Sequence, residues 1–220
     1  MYLPPQFNPK DKAHALHVMR GHPLASLISV DDEGFPFVTH LPLHLAQADE
    51  PLVLLGHCAK ANPHWRFLQA RPRALVTFMG PQAYMSPKVY PDLVRVPTWS
   101  YLAVHARADV VFIDEPPSKD KLLKSLIGDH EPAYAAQWRG LETDYQQKML
   151  NGIVAFELRI TDLQCKLKLN QHRPESHAAM HAIYKAGNDN ERALAAWMVT
   201  LGMVPEQAES PAAIKPFEGS

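Results

Sequence analysis

The sequence predicts a mainly β fold with helices at its periphery (α+β), a small barrel carrying a C-terminal helical appendage. Three observations carry this reading. About six segments of strand length alternate between apolar and polar residues. Twenty prolines stand against ten glycines, a ratio suited to edge strands, bulges and fixed turns. Helical spacing of apolar residues is confined to short segments beside those strands.

The first segment, Asp11 to Arg20, reads as a short helix with Ala13, Leu16 and His17 facing inward, ended by Gly21 and Pro23, and closes one end of the barrel. Leu24 to Val30 is a strand, and Phe35 to Leu45 its hairpin partner across the DDEG turn. Alternation puts Phe37, Thr39, Leu41 and Leu43 on one face, and Pro36 and Pro42 must sit at an edge or bulge where no ladder N–H is needed. Leu52 to His57 is a third strand. Asn62-Pro63 then reads as N-cap and first residue of a helix to about Ala70, so that the segment between presents backbone N–H groups to an anion, with Lys60 adding charge.

Arg73 to Met79 is a fourth strand, and Trp99 to Ile113 holds one long strand or two short ones. Between them, GPQAYMSPKVYPDLVRVPTW reads as a binding loop, being long and rich in aromatics. Ser118 caps a helix with Leu122, Leu123, Leu126 and Ile127 as its apolar stripe, and a short helix covers Glu142 to Leu150. Gly152 to Leu169 alternates in FELRI and again in CKLKL, a long strand bent near Thr161-Asp162. Two helices follow, His177 to Ala186 and Glu191 to Gly202, with Met180, Ile183, Tyr184, Leu194, Trp197 and Met198 at helical spacing. This organisation places a barrel domain over 1–173, a helical appendage over 174–205 and a flexible tail over 206–220.

Composition narrows the function classes. With 220 residues, 46% hydrophobic and 20% charged, the chain can build a proper core. A net charge of -1 supplies no global cationic field for nucleic acid or anionic lipid. Cys58 and Cys165 lack disulfide or zinc spacing, no apolar run reaches 18 residues, and MYLPPQFNPK is not a secretory leader, so a cytoplasmic location is expected. The 12 histidines lack metal-ligand spacing: His40 and His44 on a strand stand about 13 Å apart, and a solvated helix face accounts for His14 and His17. No metal is therefore expected. No G-x-S-x-G, Walker A or G-x-G-x-x-G sequence occurs. Cys58 precedes a helix N-terminus that could lower its pKa, although a small buried filler explains it better. The aromatic loop and the anion-favouring turn together offer what a flavin mononucleotide needs, with Tyr84, Tyr90, Trp99 and Tyr101 as flat surfaces; on spacing alone, ordinary core aromatics account for them better.

Several segments, in order, resemble the PaiB-like family of FMN-binding negative transcriptional regulators. These are MYLPPQF, HPLASLIS, THLPLHL, GHCAKANPHW, VTFMGPQAYMSP, VPTWSYLAVHA, MLNGIVAFELRIT and KLKLNQHR, spanning roughly residues 1 to 200. The chain departs from that pattern at Asn170-Gln171-His172, at Val89 where a Trp is expected, and in a shorter loop before VPTW. The resemblance implies a split β-barrel of the FMN-binding type, shared with pyridoxamine phosphate oxidases and flavin reductases, forming a homodimer with FMN near the subunit interface. Carried over by residue, it implies a phosphate held around Lys60 and Asn62. Thr39, His57, Tyr84 and Ser86 would neighbour the flavin, Trp99 and Tyr101 would anchor the loop or touch the ring, and Lys168 and Gln171 would approach from the last strand.

The resemblance implies an FMN-binding protein of negative transcriptional regulation. Direct DNA contact is not supported by charge: residues 174–220 carry Lys185, Arg192 and Lys215 against six acidic groups. The competing class is a flavin-dependent oxidoreductase or flavin reductase taking NAD(P)H or another small substrate, and a third is a flavin-free interaction module.

Overall fold

The structure, a computed structural model, describes residues 1–92 and 94–205; the expected tail over 206–220 lies outside the described residues. Packing groups the chain into two units. The first comprises Met1–Gly80 and Tyr101–Lys168, the second Pro81–Ser100 and the chain from Leu169 on. Packing thus adds Pro81–Ser100 to the C-terminal helices, beside a boundary drawn from sequence at 173/174.

In the first unit Asp11 caps α1 (Lys12–Gly21), its carboxylate accepting from Ala13 N at 2.8 Å. The face turned inward is Ala15, Val18 and Met19, not the expected Ala13, Leu16 and His17. Leu16 is only half-buried, and Ala13 and His17 are exposed, because a helix stripe two residues out of phase points to the other side of the helix. β1 (Leu24–Val30) pairs with β2 (Pro36–Pro42) in an antiparallel hairpin. The predicted inward residues Phe37, Thr39, Leu41 and Leu43 are indeed the covered ones.

The expected single strand to Leu45 is broken at Leu43. Pro42 has no N–H to continue a ladder, and Leu43 N instead donates to Pro23 O at 3.0 Å. The chain then enters β3 (His44–Gln47), which pairs with β4 (Val53–Ala59). With β5 (Arg73–Met85), β6 (Thr98–Ile113) and β7 (Ile153–Lys168), the sheet has seven antiparallel strands in the order β2-β1-β5-β6-β7-β4-β3. β2 and β3, joined by one residue, occupy opposite edges, so the sheet must curl into a barrel that stays split. Gly56 permits the curl: a Cβ there would lie 2.5 Å from Leu43 Cδ2, 3.1 Å from Leu41 Cδ1 and 3.1 Å from Phe156 Cε2.

The bend expected near Thr161-Asp162 is a β-bulge. Arg107 faces Asp162 while Ala108 faces Ile160, which leaves Thr161 unpaired, its hydroxyl 3.3 Å from Arg107 O. The bulge explains the two separate alternations in the sequence. Phe156, Leu158 and Ile160 face the interior on one phase, Leu163, Cys165 and Leu167 on the other, opposite an unbroken series from Leu102 to Phe112.

The helices of this unit differ in detail from expectation. α2 (His64–Ala70) starts one residue later than predicted, Asn62 Oδ1 accepting from His64 N at 3.0 Å. α3 (Pro116–Gly128) begins at its two prolines with Glu115 as N-cap, so Ser118 lies inside the helix instead of capping it. Leu122 and Leu126 of α3 pack on Ala155, with Leu55, Ile113 and Leu123 alongside. α4 (Tyr134–Gly140) was not anticipated, and α5 (Thr143–Asn151) lies where a short helix was expected. No described helix is long and apolar enough to cross a membrane.

The second unit begins with the end of β5. Ala83 and Met85 are buried while Gln82 and Tyr84 are exposed, so the first part of the expected loop is strand. α6 (His177–Lys185) and α7 (Asp189–Thr200) form a hairpin, α7 opened by a capping box between Asn188 and Glu191. Met180, Tyr184, Leu194 and Met198 are fully buried; Ile183, expected in the core, is 46% exposed.

Gly56→Val places three atoms against Leu41, Leu43 and Phe156 and should lower stability by about 1–3 kcal/mol in urea unfolding. Gly140→Ala, with nothing within 4 Å of its Cβ, should leave stability level or raise it by up to about 1 kcal/mol. Equal midpoints for the two would remove Gly56 from its role in the curl.

Candidate functional site

At the β2 end of the barrel the fold assembles a polar cluster from four elements. Thr39 faces inward from β2, and its hydroxyl accepts from Asn62 Nδ2 at 3.1 Å and meets His64 Nδ1 at 2.8 Å. The other ring nitrogen, His64 Nε2, lies 2.8 Å from Ser29 Oγ on β1. The Phe37 ring packs edge-on against His64 at 4.9 Å and Phe67 at 5.2 Å. His64 is fully buried, and burial pushes its pKa down to about 4. The predicted pair Thr39 and Asn62 is therefore brought together, around a histidine that lay in the motif GHCAKANPHW but was read only as the start of a helix.

The turn before α2 corrects the expectation of open backbone donors. Lys60 N donates to Gly152 O at 2.8 Å, Asn62 N to Ala59 O at 2.9 Å and Arg66 N to Pro63 O at 2.9 Å, while His64 N is held by Asn62. A seven-residue helix with these amides engaged offers an anion its side chains, not its backbone. The Lys60 side chain is exposed, and its carbonyl accepts from Trp65 Nε1 at 3.0 Å. Cys58 is buried and its thiol is raised by desolvation, the reverse of activation by the helix; Cys165 is pushed up to about 12 by the same cause.

His57 stands on the β4 pleat opposite Gly56, away from the interior pleat that carries Thr39 and Leu41. Its Nδ1 is buried with no hydrogen-bond partner among the described residues, and desolvation lowers its pKa. On the β6–β7 pair, Tyr101 faces Lys168 directly, with Lys168 Nζ 5.7 Å and Lys166 Nζ 5.3 Å from the Tyr101 ring centroid. Lys166, read from sequence only as part of CKLKL, is buried; it lies over the Tyr2 ring and donates to Tyr2 O at 3.2 Å. Desolvation also lowers the Lys168 pKa.

In the second unit Tyr84 and Trp99 meet edge to face at 6.4 Å and are each about half exposed. Ser86 caps the short turn Pro87–Val89, accepting from Lys88 N at 3.2 Å. Gln171 Oε1 accepts from Leu169 N at 3.0 Å. The hub here is Asn170, at φ 65, a left-handed conformation that asparagine tolerates. Its amide donates to Tyr90 Oη at 2.9 Å and Ser176 Oγ at 2.8 Å, and its carbonyl lies 3.1 Å from His177 Nε2. Departure from a family pattern at this position was its only signal in the sequence.

Comparison with known proteins bears on this geometry. The family described as "Putative FMN-binding domain" matches residues 1–162. The protease synthase and sporulation protein PAI 2 of Bacillus subtilis (strain 168) is 31% identical over 178 residues, 80% of this chain and 84% of its own length. A flavocytochrome from Azotobacter vinelandii superposes with a TM-score of 0.58 at 16% identity, covering 74% of this chain and 70% of that one. An FAD and heme binding protein from Mycobacterium smegmatis gives 0.58 at 18% identity and 73% coverage of each. At such identities the two structures speak for the split-barrel fold alone.

Because the folded state keeps His64 neutral, its contribution to stability is fully present above about pH 6.5 and is lost as pH falls toward 4. Urea midpoints should register a loss of about 3 kcal/mol from this group across that window. His64→Gln should flatten the slope by that amount; an unchanged slope would assign the acid sensitivity elsewhere.

Proposed function

This chain belongs to the putative FMN-binding domain family, and on that premise we propose that it binds FMN as a homodimer and acts in negative transcriptional regulation. The observation that carries the reading is the side-chain pair Thr39–Asn62, with the exposed Lys60 two residues before Asn62 in the same turn. A lysine, an amide and a hydroxyl at one barrel end suit a phosphate. The buried, unpartnered His57 Nδ1 is a polar atom that a bound heterocycle would satisfy. The residues present therefore fit the cofactor. When bound, FMN supplies a reducible ring.

In this reading Lys60, Asn62 and Thr39 of one protomer hold the phosphate and His57 meets the ring; because His57 pairs with Ala155 and Tyr101 with Lys168, at opposite ends of β7, Tyr101 and Lys168 would come to that ring from the second protomer of the homodimer. Tyr84, Ser86, Trp99 and Gln171 belong to the second unit. The regulatory role works through protein contact. A net charge of -1, with an acidic excess over 174–220, supports a protein partner over direct contact with DNA.

Protein purified and desalted after addition of FMN should keep flavin absorption between 300 and 550 nm and sediment as a dimer. Lys60→Ala should raise the Kd for FMN by about 10- to 150-fold, or 1.5–3 kcal/mol, in a flavin fluorescence titration. Loss of all flavin on desalting would overturn the binding proposal. Multiple-turnover oxidation of NAD(P)H by the flavin-loaded protein would replace the regulatory reading with an oxidoreductase.

A further inference from the structure

A cavity lies in the first unit, at the barrel end beside α1. Its volume is about 390 Å³, typical of small-molecule sites. Its floor is apolar: Leu43, Leu54 and Phe78 of the barrel with Met19 of α1. Its rim carries opposite charges, Arg20 from the last turn of α1 and Asp129 just past the end of α3.

The rim is built, not incidental. Asp129 Oδ2 lies 2.5 Å from His44 Nδ1, a bond between residues 85 positions apart that ties β3 to the end of α3. The contact fixes the imidazole's orientation and leaves its Nε2 and the second carboxylate oxygen for other partners. Asp129 also breaks a local rule, because a carboxylate at a helix C-terminus meets the negative end of the dipole, whereas a cation there is favoured. Arg20 makes no hydrogen bond or ion pair with the described residues. One cation and one carboxylate thus stand unpaired with each other above an apolar floor.

We propose that this cavity binds a free α-amino acid with an apolar side chain. The ligand carboxylate pairs with Arg20. Its ammonium sits on Asp129, where it also faces the C-terminal carbonyls of α3. The side chain fills the floor between Leu43, Leu54 and Phe78. A zwitterion matches both charges at once, whereas an amine or an acid alone leaves one of them unmatched. None of these groups is among those assigned to the flavin, so the two sites stand or fall separately.

Calorimetric titration of the full-length protein, with and without FMN, tests this with four probes: L-phenylalanine, L-leucine, 3-phenylpropionate and phenethylamine. Expected is saturable binding of one amino acid per chain, with the acid and the amine each weaker by about tenfold or more. Arg20→Gln should weaken the amino acids and the acid but spare the amine. Asp129→Asn, whose amide oxygen still accepts from His44, should weaken the amino acids and the amine but spare the acid. That crossed pattern separates ligand contacts from a folding defect, which would weaken every probe alike. Absence of saturable amino acid binding, equal binding of 3-phenylpropionate, or indifference to both substitutions would each overturn the proposal. None of these results alters flavin retention, which is read on the same samples.

Discussion

The barrel depends on one corner. At Pro42-Leu43 the chain leaves one edge of the sheet and one residue later starts the opposite edge, so the sheet can satisfy both pairings only by curling until its edges converge. Proline ends the first ladder because it has no N–H, and Leu43 N finds Pro23 O instead. The cost of such a tight curl is steric, and it falls on β4, where Gly56 lets Leu41, Leu43 and Phe156 converge on the space a side chain would fill. The interior of the barrel follows from this corner.

Both the polar cluster around His64 and the cavity beside α1 take shape around that curl. Thr39, two residues before Leu41 on the same pleat, is drawn to Asn62 and His64 at one location. Leu43 itself forms part of the floor of the cavity whose rim is Arg20, His44 and Asp129. In each, a histidine is oriented by an oxygen partner, yet the surroundings differ. His64 is fully buried with both ring nitrogens engaged by hydroxyls, and burial keeps it neutral. His44 meets solvent and a carboxylate. The same side chain therefore serves as a core polar link at one place and as a rim group at the other.

The bulge at Thr161 is the second device of the fold. Without it, a strict period of two would carry Leu163, Cys165 and Leu167 to the outer face and turn Gln164 and Lys166 inward. With it, β7 keeps an apolar interior along its whole length and presents Gln164, Lys166 and Lys168 on the far side, the two lysines over the Tyr101 ring. A shift of one residue thus decides which face of the C-terminal half of β7 carries Lys166 and Lys168.

Most strand positions, the helices other than α4 and the kink in the last strand are legible in the sequence, because period-two alternation, proline and capping residues act locally. Ordered motifs likewise identified the family and the split barrel. The inward face of α1 differs from the one the sequence predicts, since local spacing allows more than one stripe and packing selects one of them. Two outcomes belong to tertiary structure alone: the pairing of His44 with Asp129 and the burial of His64 between Ser29 and Thr39. Each joins residues far apart in the chain whose meeting depends on how the whole sheet curls, and no local periodicity encodes that. The amino-acid order by itself determined which segments are strands and which residues can point inward; the closure of the sheet decided which polar groups meet, because desolvation and hydrogen bonding act on distance in space and not on separation along the chain.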